Sequence, residues 1–253
     1  MDEPTPRSAS AAPASLQDRI RIAVEREIVS GLRPPGSPID EKALAQGFAT
    51  SRTPVREALL VLATQGLVQI VPRAGIFVRR ASAAELVATL EALAELETVL
   101  ARLAARRAGS GQREALQEAR AKASACAAAA DRAGYEVANA RLHEVIYQAS
   151  GNPVLVEQVH GVRKTLAAYR QRGFDKPGRL AASDREHAVI VGAICPRDGA
   201  AAAAAMRLHI DVGGEAMAAL VLAAESGAGL TSAKPRVQKK APQPKEVPRY
   251  RLD

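Results

Sequence analysis

Apolar residues recur at helical spacing through most of the chain. Leu16, Ile20, Ile22, Ala23, Ile28 and Val29 give one amphipathic helix, which Gly31 and the Pro34-Pro35-Gly36 turn bring to an end. Asp40 is placed to cap a short second helix through Lys42, Ala43, Leu44 and Phe48. After a turn near 47–50, a third helix runs to about Gln65, with Gly66 as its stop. Ser51 or Thr53 can accept from the free amides of its first turn, Pro54 suits that turn, and Val55, Ala58, Leu59 and Leu62 repeat along one buried face. The period then becomes that of strands. Leu67 to Val71 and Ile76 to Val78 are β-rich runs separated by Pro72-Arg73-Ala74-Gly75, which predicts a hairpin with a basic tip. Two helices joined by a tight turn and followed by such a wing make a winged helix-turn-helix.

Beyond Arg80 no strand pattern interrupts the helical one. Helices are expected at about Ala83–Arg107, Gln112–Ala130, Gly134–Ser150, Pro153–Gly173, Ser183–Ile194 and Gly199–Ala224, with breaks at Gly109-Ser110-Gly111, Asp131, Gly151-Asn152-Pro153, 173–178 and Pro196. These lengths and breaks predict an all-α bundle of six or seven helices. The run Ala200 to Ala205 reads as close helix packing rather than as a repeat. The fold class is therefore mainly α, in four parts: a disordered leader at 1–14, the winged domain at 15–80, the helical domain at 81–225 and a basic disordered tail at 226–253.

Composition narrows the function. Aromatics are 3% of the 253 residues and Trp is absent, which argues against an aromatic platform for single-stranded nucleic acid. No run of eighteen apolar residues and no charged-then-apolar leader is present, so a cytoplasmic protein without a membrane span is expected. Cys126 and Cys195 lack CxxC spacing and read as packing residues. The net charge of +8 is uneven: residues 15–80 carry a net +4 and residues 226–253 a net +5, around a near-neutral middle. Basic ends suit a polyanionic partner at the winged unit, while the tail's basic run reads equally well as a solubilising extension.

Two groups of residues carry chemistry. Arg52 and Arg56 are four apart on the third helix, on a face the apolar stripe does not use, where a guanidinium fork can meet a phosphate or a guanine edge; a solvated surface helix would show the same spacing. In the bundle, Asn139 and His143 share a helix face, and His187 and His209 lie on two later helices. Three converging imidazoles would suit Zn, Ni or Cu with a position left open for a ligand, although isolated helical histidines are more often surface or core residues.

These residues resemble the GntR family of bacterial transcription regulators. The marks are Ile28-Val29-Ser30-Gly31-Leu32-Arg33-Pro34-Pro35-Gly36, Leu44-Ala45, Ser51-Arg52-Thr53-Pro54-Val55-Arg56-Glu57-Ala58-Leu59, Leu62, Gly66-Leu67-Val68 and Arg73-Ala74-Gly75-Ile76-Phe77-Val78. The resemblance implies that Arg52, Thr53 and Arg56 meet the major groove, that Lys42 adds a phosphate or base contact, and that the wing around Arg73 and Gly75 enters the minor groove. Glu57 beside phosphates would repel them, so its expected work is an ion pair that fixes Arg56 or a neighbour. The bundle resembles the FadR-type branch with its C-terminal FCD ligand-binding domain, through Asn139-Ala140-Arg141-Leu142-His143, Ala149 to Leu155, Asp184 to Ile190 with Ala193-Ile194 and Asp198, and Met206 to Ile210.

In metal-binding members of that branch a D-x-x-x-H pair and two later histidines hold a divalent ion, which places Asn139, His143, His187 and His209 around Zn or Ni. Asn139 stands where Asp is usual; an amide oxygen ligates without bringing charge, or orients a water. Leu93 stands where many members carry an inward Arg for the effector carboxylate, and Arg163 is the candidate substitute. His160 matches no motif position. The expectation is a homodimeric regulator, a repressor, that reads palindromic operator DNA and senses a small carboxylate. A metal-dependent enzyme fused to a DNA-binding head is the alternative, with Glu144 and Glu186 adjoining ligand candidates but neither clearly aimed at a metal-bound water; a non-specific DNA binder driven by the tail is another.

Overall fold

The computed structural model describes residues 15–170, 174 and 177–228, so the expected leader and the tail beyond 228 lie outside the described residues. The chain divides into two compact units between Arg79 and Arg80.

The first unit holds α1 (Leu16–Val29), β1 (Pro38–Ile39), α2 (Glu41–Gly47), α3 (Arg52–Thr64), β2 (Val68–Val71) and β3 (Gly75–Val78). Its core is the inner face of three helices: Ile20, Val24 and Ile28 from α1, Leu44 from α2, and Val55, Ala58, Leu59 and Leu62 from α3 are buried together. Removing a Leu or Ile side chain of this size from water stabilises by about 1.5–3 kcal/mol, which is what aligns α3. Asp40 caps α2, accepting from the amides of Lys42 and Ala43 at 2.8 and 3.1 Å. The expected cap of α3 differs: Ser51 stands at the cap position without a side-chain bond to the first turn, and Thr53 lies inside the helix. Pro54 removes one of the amides that a cap would serve.

The wing is a three-stranded antiparallel sheet in the order β1-β3-β2, with Pro38 opposite Phe77, and Val68, Gln69, Ile70 and Val71 opposite Val78, Phe77, Ile76 and Gly75. The first strand was not expected. It is two residues long and opens with proline, so it owes its extended form to β3 rather than to any local pattern, and Pro is tolerated there because it starts an edge strand. At the tip Arg73 adopts φ 64° and Gly75 φ 123°, the latter a conformation that L side chains rarely accept.

The second unit contains six helices among the described residues: α4 (Ala83–Arg107), α5 (Ser110–Ala128), α6 (Arg132–Ser150), α7 (Pro153–Arg170), α8 (Arg179–Ile194) and α9 (Gly199–Ala228). A reciprocal Ser82–Glu85 capping box starts α4. That helix is the axis of the bundle, packing on α6, α7, α8 and α9, while α5 covers α6 and α8. Leu100, Leu116, Leu142, Ile146, Leu166, Ile190 and Met206 are fully buried between them. Two boundaries differ from expectation by about a turn. The last helix runs on to Ala228, and α8 begins at Arg179 rather than Ser183, because Gly178 turns the chain at φ 80° and lets the helix start one turn earlier. That extra turn carries Arg179 into the interior.

Candidate functional site

On α3 the buried stripe leaves Arg52, Thr53 and Arg56 exposed on the opposite side, where they line a shallow groove with Glu41 and Leu60. Neither Arg52 nor Arg56 forms an ion pair among the described residues, so both forks are free to meet a partner. Glu57 also has no ionic partner there, so the expected pair with Arg56 does not form. Lys42 is exposed on α2, and Arg73 and Gly75 are exposed at the wing tip.

In the second unit the three expected histidines come together from three helices. His187 Nε2 of α8 lies 3.3 Å from His143 Nε2 of α6 and 3.2 Å from His209 Nε2 of α9. All three rings are buried, and their candidate ligand atoms lie within 4.8 Å of one another. Each ring also has its other nitrogen engaged: His143 Nδ1 faces Glu97 Oε2 at 2.7 Å, His187 Nδ1 faces the Tyr135 hydroxyl at 3.3 Å, and His209 Nδ1 faces Glu186 Oε2 at 2.6 Å. With the proton on Nδ1, each imidazole donates outward and turns the Nε2 lone pair to the common centre, as metal-ligating histidines do.

In that tautomer His143 Nδ1–H donates to Glu97, so the Arg163 Nη2 only 2.7 Å from the same nitrogen is a close approach and not a second bond. Arg163 instead donates through Nε to Glu97 Oε1 at 2.8 Å. Glu97 is fully buried and Arg163 nearly so, which makes this a shielded ion pair on which His143 leans.

Burial pushes His143 down to about 3, with the Arg163 charge adding to it. Burial, then His209 and His143, hold His187 well below the ordinary histidine range. Both are therefore neutral at pH 7, the form in which imidazole binds a metal. Burial pushes the Tyr135 phenol up to about 12, so it stays protonated beside His187. For Glu186 burial works upward, but hydrogen bonds from His209 and Arg179 and the charges of both outweigh it and hold the carboxyl at about 2.

His143 and His209 open on a cavity of about 80 Å³. Asn139, Arg163, Arg179 and Ser183 give its polar wall, and Leu90, Leu93 and Ile210 its apolar one. Asn139 Oδ1 is buried and has no hydrogen-bond partner, an acceptor left open on a residue that lines the same cavity as His143 and His209. This donor set fits a divalent ion: three imidazole nitrogens, one orphaned amide oxygen and outward bonds that fix every ring.

Arg163 does line this cavity, already paired with Glu97, and Leu93 is a buried part of its wall. His160 lies elsewhere, half exposed and bonded to Glu144 Oε2 at 2.8 Å. Sequence reading missed Glu97, Tyr135, Arg179 and Ser183. Glu97 had a signal, since it is a carboxylate one turn beyond Leu93 in the buried stripe that continues through Leu100, Ala101 and Ala104. Arg179 and Ser183 had one too, lying eight and four residues before His187 on the same face of α8.

Comparison with known proteins agrees with both units. The model of bacterial regulatory proteins of the gntR family matches residues 16–78, and that of the FCD domain matches residues 88–212. The galactonate operon transcriptional repressor of Escherichia coli strain K12 is 29% identical over 206 residues, covering 73% of this chain and 89% of that protein. An HTH-type transcriptional regulator from the ttuE-ttuC' intergenic region of Agrobacterium vitis is 32% identical over 127 residues, covering 49% of this chain and 74% of that one. Among solved structures, McbR/YncC of E. coli shares the fold with a TM-score of 0.66 over 85% of this chain and 99% of its own, at 20% identity. The family and these relatives are transcription regulators and not enzymes, and Glu186 is spent on orienting His209 while Glu144 is turned to His160, so the metal-dependent enzyme is set aside. The chain belongs to the GntR family of bacterial regulatory proteins, with an FCD domain behind its helix-turn-helix.

Proposed function

We propose that this regulator is a cytoplasmic homodimeric repressor whose two α3 helices read a palindromic operator, and whose FCD domain adjusts operator affinity when a small carboxylate binds beside a divalent metal. The observation that carries the sensing half is the convergence of the three Nε2 atoms, two of them from histidines that line a cavity also presenting Arg163 and Arg179. A Zn or Ni ion held by His143, His187 and His209, with Asn139 as a neutral oxygen donor, would supply positive charge for an anion. Both guanidiniums are already balanced, Arg163 by Glu97 and Arg179 by Glu186, so they orient an acid more than they attract it. The relative named for a galactonate operon supports an acid as the signal. Elemental analysis of protein purified without added metal tests this half: about one divalent ion per chain is expected, and a metal-free protein that also rejects added Zn and Ni would sink it.

For the reading half, the exposed Arg52, Thr53 and Arg56 would enter the major groove, Lys42 would meet the backbone and the Arg73–Gly75 tip would enter the minor groove. Arg56→Ala should weaken operator binding by about 1–3 kcal/mol, roughly 5- to 150-fold, and relax the preference at one base position. Fluorescence anisotropy on matched and singly substituted duplexes at fixed salt checks this. An unchanged affinity would take α3 out of the groove.

A further inference from the structure

The chain passes from the winged unit to the bundle through a short connector that is fixed on both sides. On the wing side, the Val78 amide donates to the Ser37 carbonyl and the Arg79 amide to the Leu67 carbonyl, each at 2.9 Å, so the chain stays tied to its own unit as far as Arg79. On the bundle side, the Ala81 amide donates to the Tyr169 hydroxyl at 2.8 Å, and one residue later Ser82 opens the capping box of α4. Only Arg80, exposed to solvent, stands between the two anchored amides, and it makes no backbone hydrogen bond among the described residues.

The Ala81 bond is the one that local structure does not supply. Its acceptor is a side chain 88 residues away, where a helix or sheet would offer a carbonyl. Ala81 is 7% exposed and packs into the bundle core, so water is poorly placed to take over from the phenol. Tyr169 is the next-to-last residue of α7, and the interior Arg163–Glu97 ion pair fastens that helix to α4, so the acceptor is itself held in place. With the bond made, backbone freedom between the units is confined to Arg80. Without it, the free stretch runs on through Ala81 to the cap of α4.

We propose that the Tyr169 hydroxyl is a positioning group for DNA reading: it holds Ala81 to the bundle, confines the connector to a hinge at Arg80, and so narrows the range of half-site spacings that two winged units accept. The spacing of two half-sites rests on the homodimeric reading above; the anchoring of Ala81 stands without it.

Tyr169→Phe removes one oxygen and keeps the ring in its packing. Limited trypsin digestion of the full-length protein, followed by mass spectrometry, reads the hinge, because Arg79 and Arg80 place two cleavable bonds in it and cleavage needs the backbone freed from its anchors. Tyr169→Phe should speed cleavage after Arg79 and after Arg80 by about fivefold or more. Ile194→Val, which removes a methylene from a fully buried core position, should leave it at the wild-type rate. Anisotropy on a selected operator duplex, and on the same duplex with one base pair inserted at its centre, reads the consequence: the insertion should cost wild type at least about tenfold in affinity and Tyr169→Phe about threefold or less. Unchanged cleavage in Tyr169→Phe, or cleavage raised equally by Ile194→Val, would overturn the anchor. Faster cleavage with an unchanged response to the insertion would overturn the positioning role. A wild type indifferent to the insertion would remove the homodimeric reading and the role in spacing together, while the cleavage rates still decide the anchor.

Discussion

Glu97→Ala should destabilise the metal-free protein by about 3–5 kcal/mol, because it strands a buried guanidinium. Glu97 is 0% exposed and the Arg163 side chain 12%, so water replaces the lost carboxylate around Arg163 only in part, from the cavity side. The same carboxylate also accepts from His143 Nδ1 at 2.7 Å, so the variant frees the ring that α6 contributes to the cavity. Two companions separate charge from shape. Glu97→Gln keeps an acceptor and should lose less, and the double variant Glu97→Leu with Arg163→Met removes both charges and should recover most of the stability. Urea unfolding of the four proteins after chelation measures this. A Glu97→Ala protein within 1 kcal/mol of wild type would mean that the ion pair is not held out of water as the structure has it.

Metal removal should have an effect of the same order. An ion that binds the folded site and not the unfolded chain stabilises by about 4 kcal/mol when its free concentration is a thousand times its Kd, which for a chain of this size is on the order of 10 °C in Tm. Zinc added to stripped wild-type protein should therefore raise Tm steeply, and added to His187→Ala should raise it little, since two imidazoles and a neutral amide remain. Calorimetric scans with and without zinc check this pair. An equal rise in both proteins would place the ion somewhere other than among His143, His187 and His209.

What the amino-acid pattern showed and hid follows from how far apart the determinants lie. The reading helix was legible because its stripe, Val55, Ala58, Leu59 and Leu62, is local and periodic, and the same period puts Arg52 and Arg56 on the outside. The six bundle helices were legible for the same reason, with errors confined to ends such as Arg179, where one left-handed glycine adds a turn. β1 was not, because Pro38 and Ile39 are extended only through pairing with Phe77 and Ile76. The histidines could be named, but the residues that orient them could not: Glu97 lies 46 residues from His143, and Tyr135 lies 52 from His187. Such pairings are made by helix packing, which sequence spacing does not carry. Arg163, the expected substitute for an arginine at Leu93, does line the cavity, but Arg179, a second guanidinium that arrives with α8, was hidden for the same reason.

In the proposed mechanism the bundle senses and α3 reads, with coupling between the two. It is tested most directly by anisotropy titration of a selected operator duplex with wild-type and His187→Ala protein, each stripped, zinc-loaded, and zinc-loaded with glycerate. Stripped wild type and His187→Ala should bind the duplex alike, and zinc with glycerate should change wild-type affinity by at least about fivefold while leaving His187→Ala unmoved. A folded His187→Ala protein that no longer binds the operator, or a wild-type affinity indifferent to zinc and acid, would contradict it.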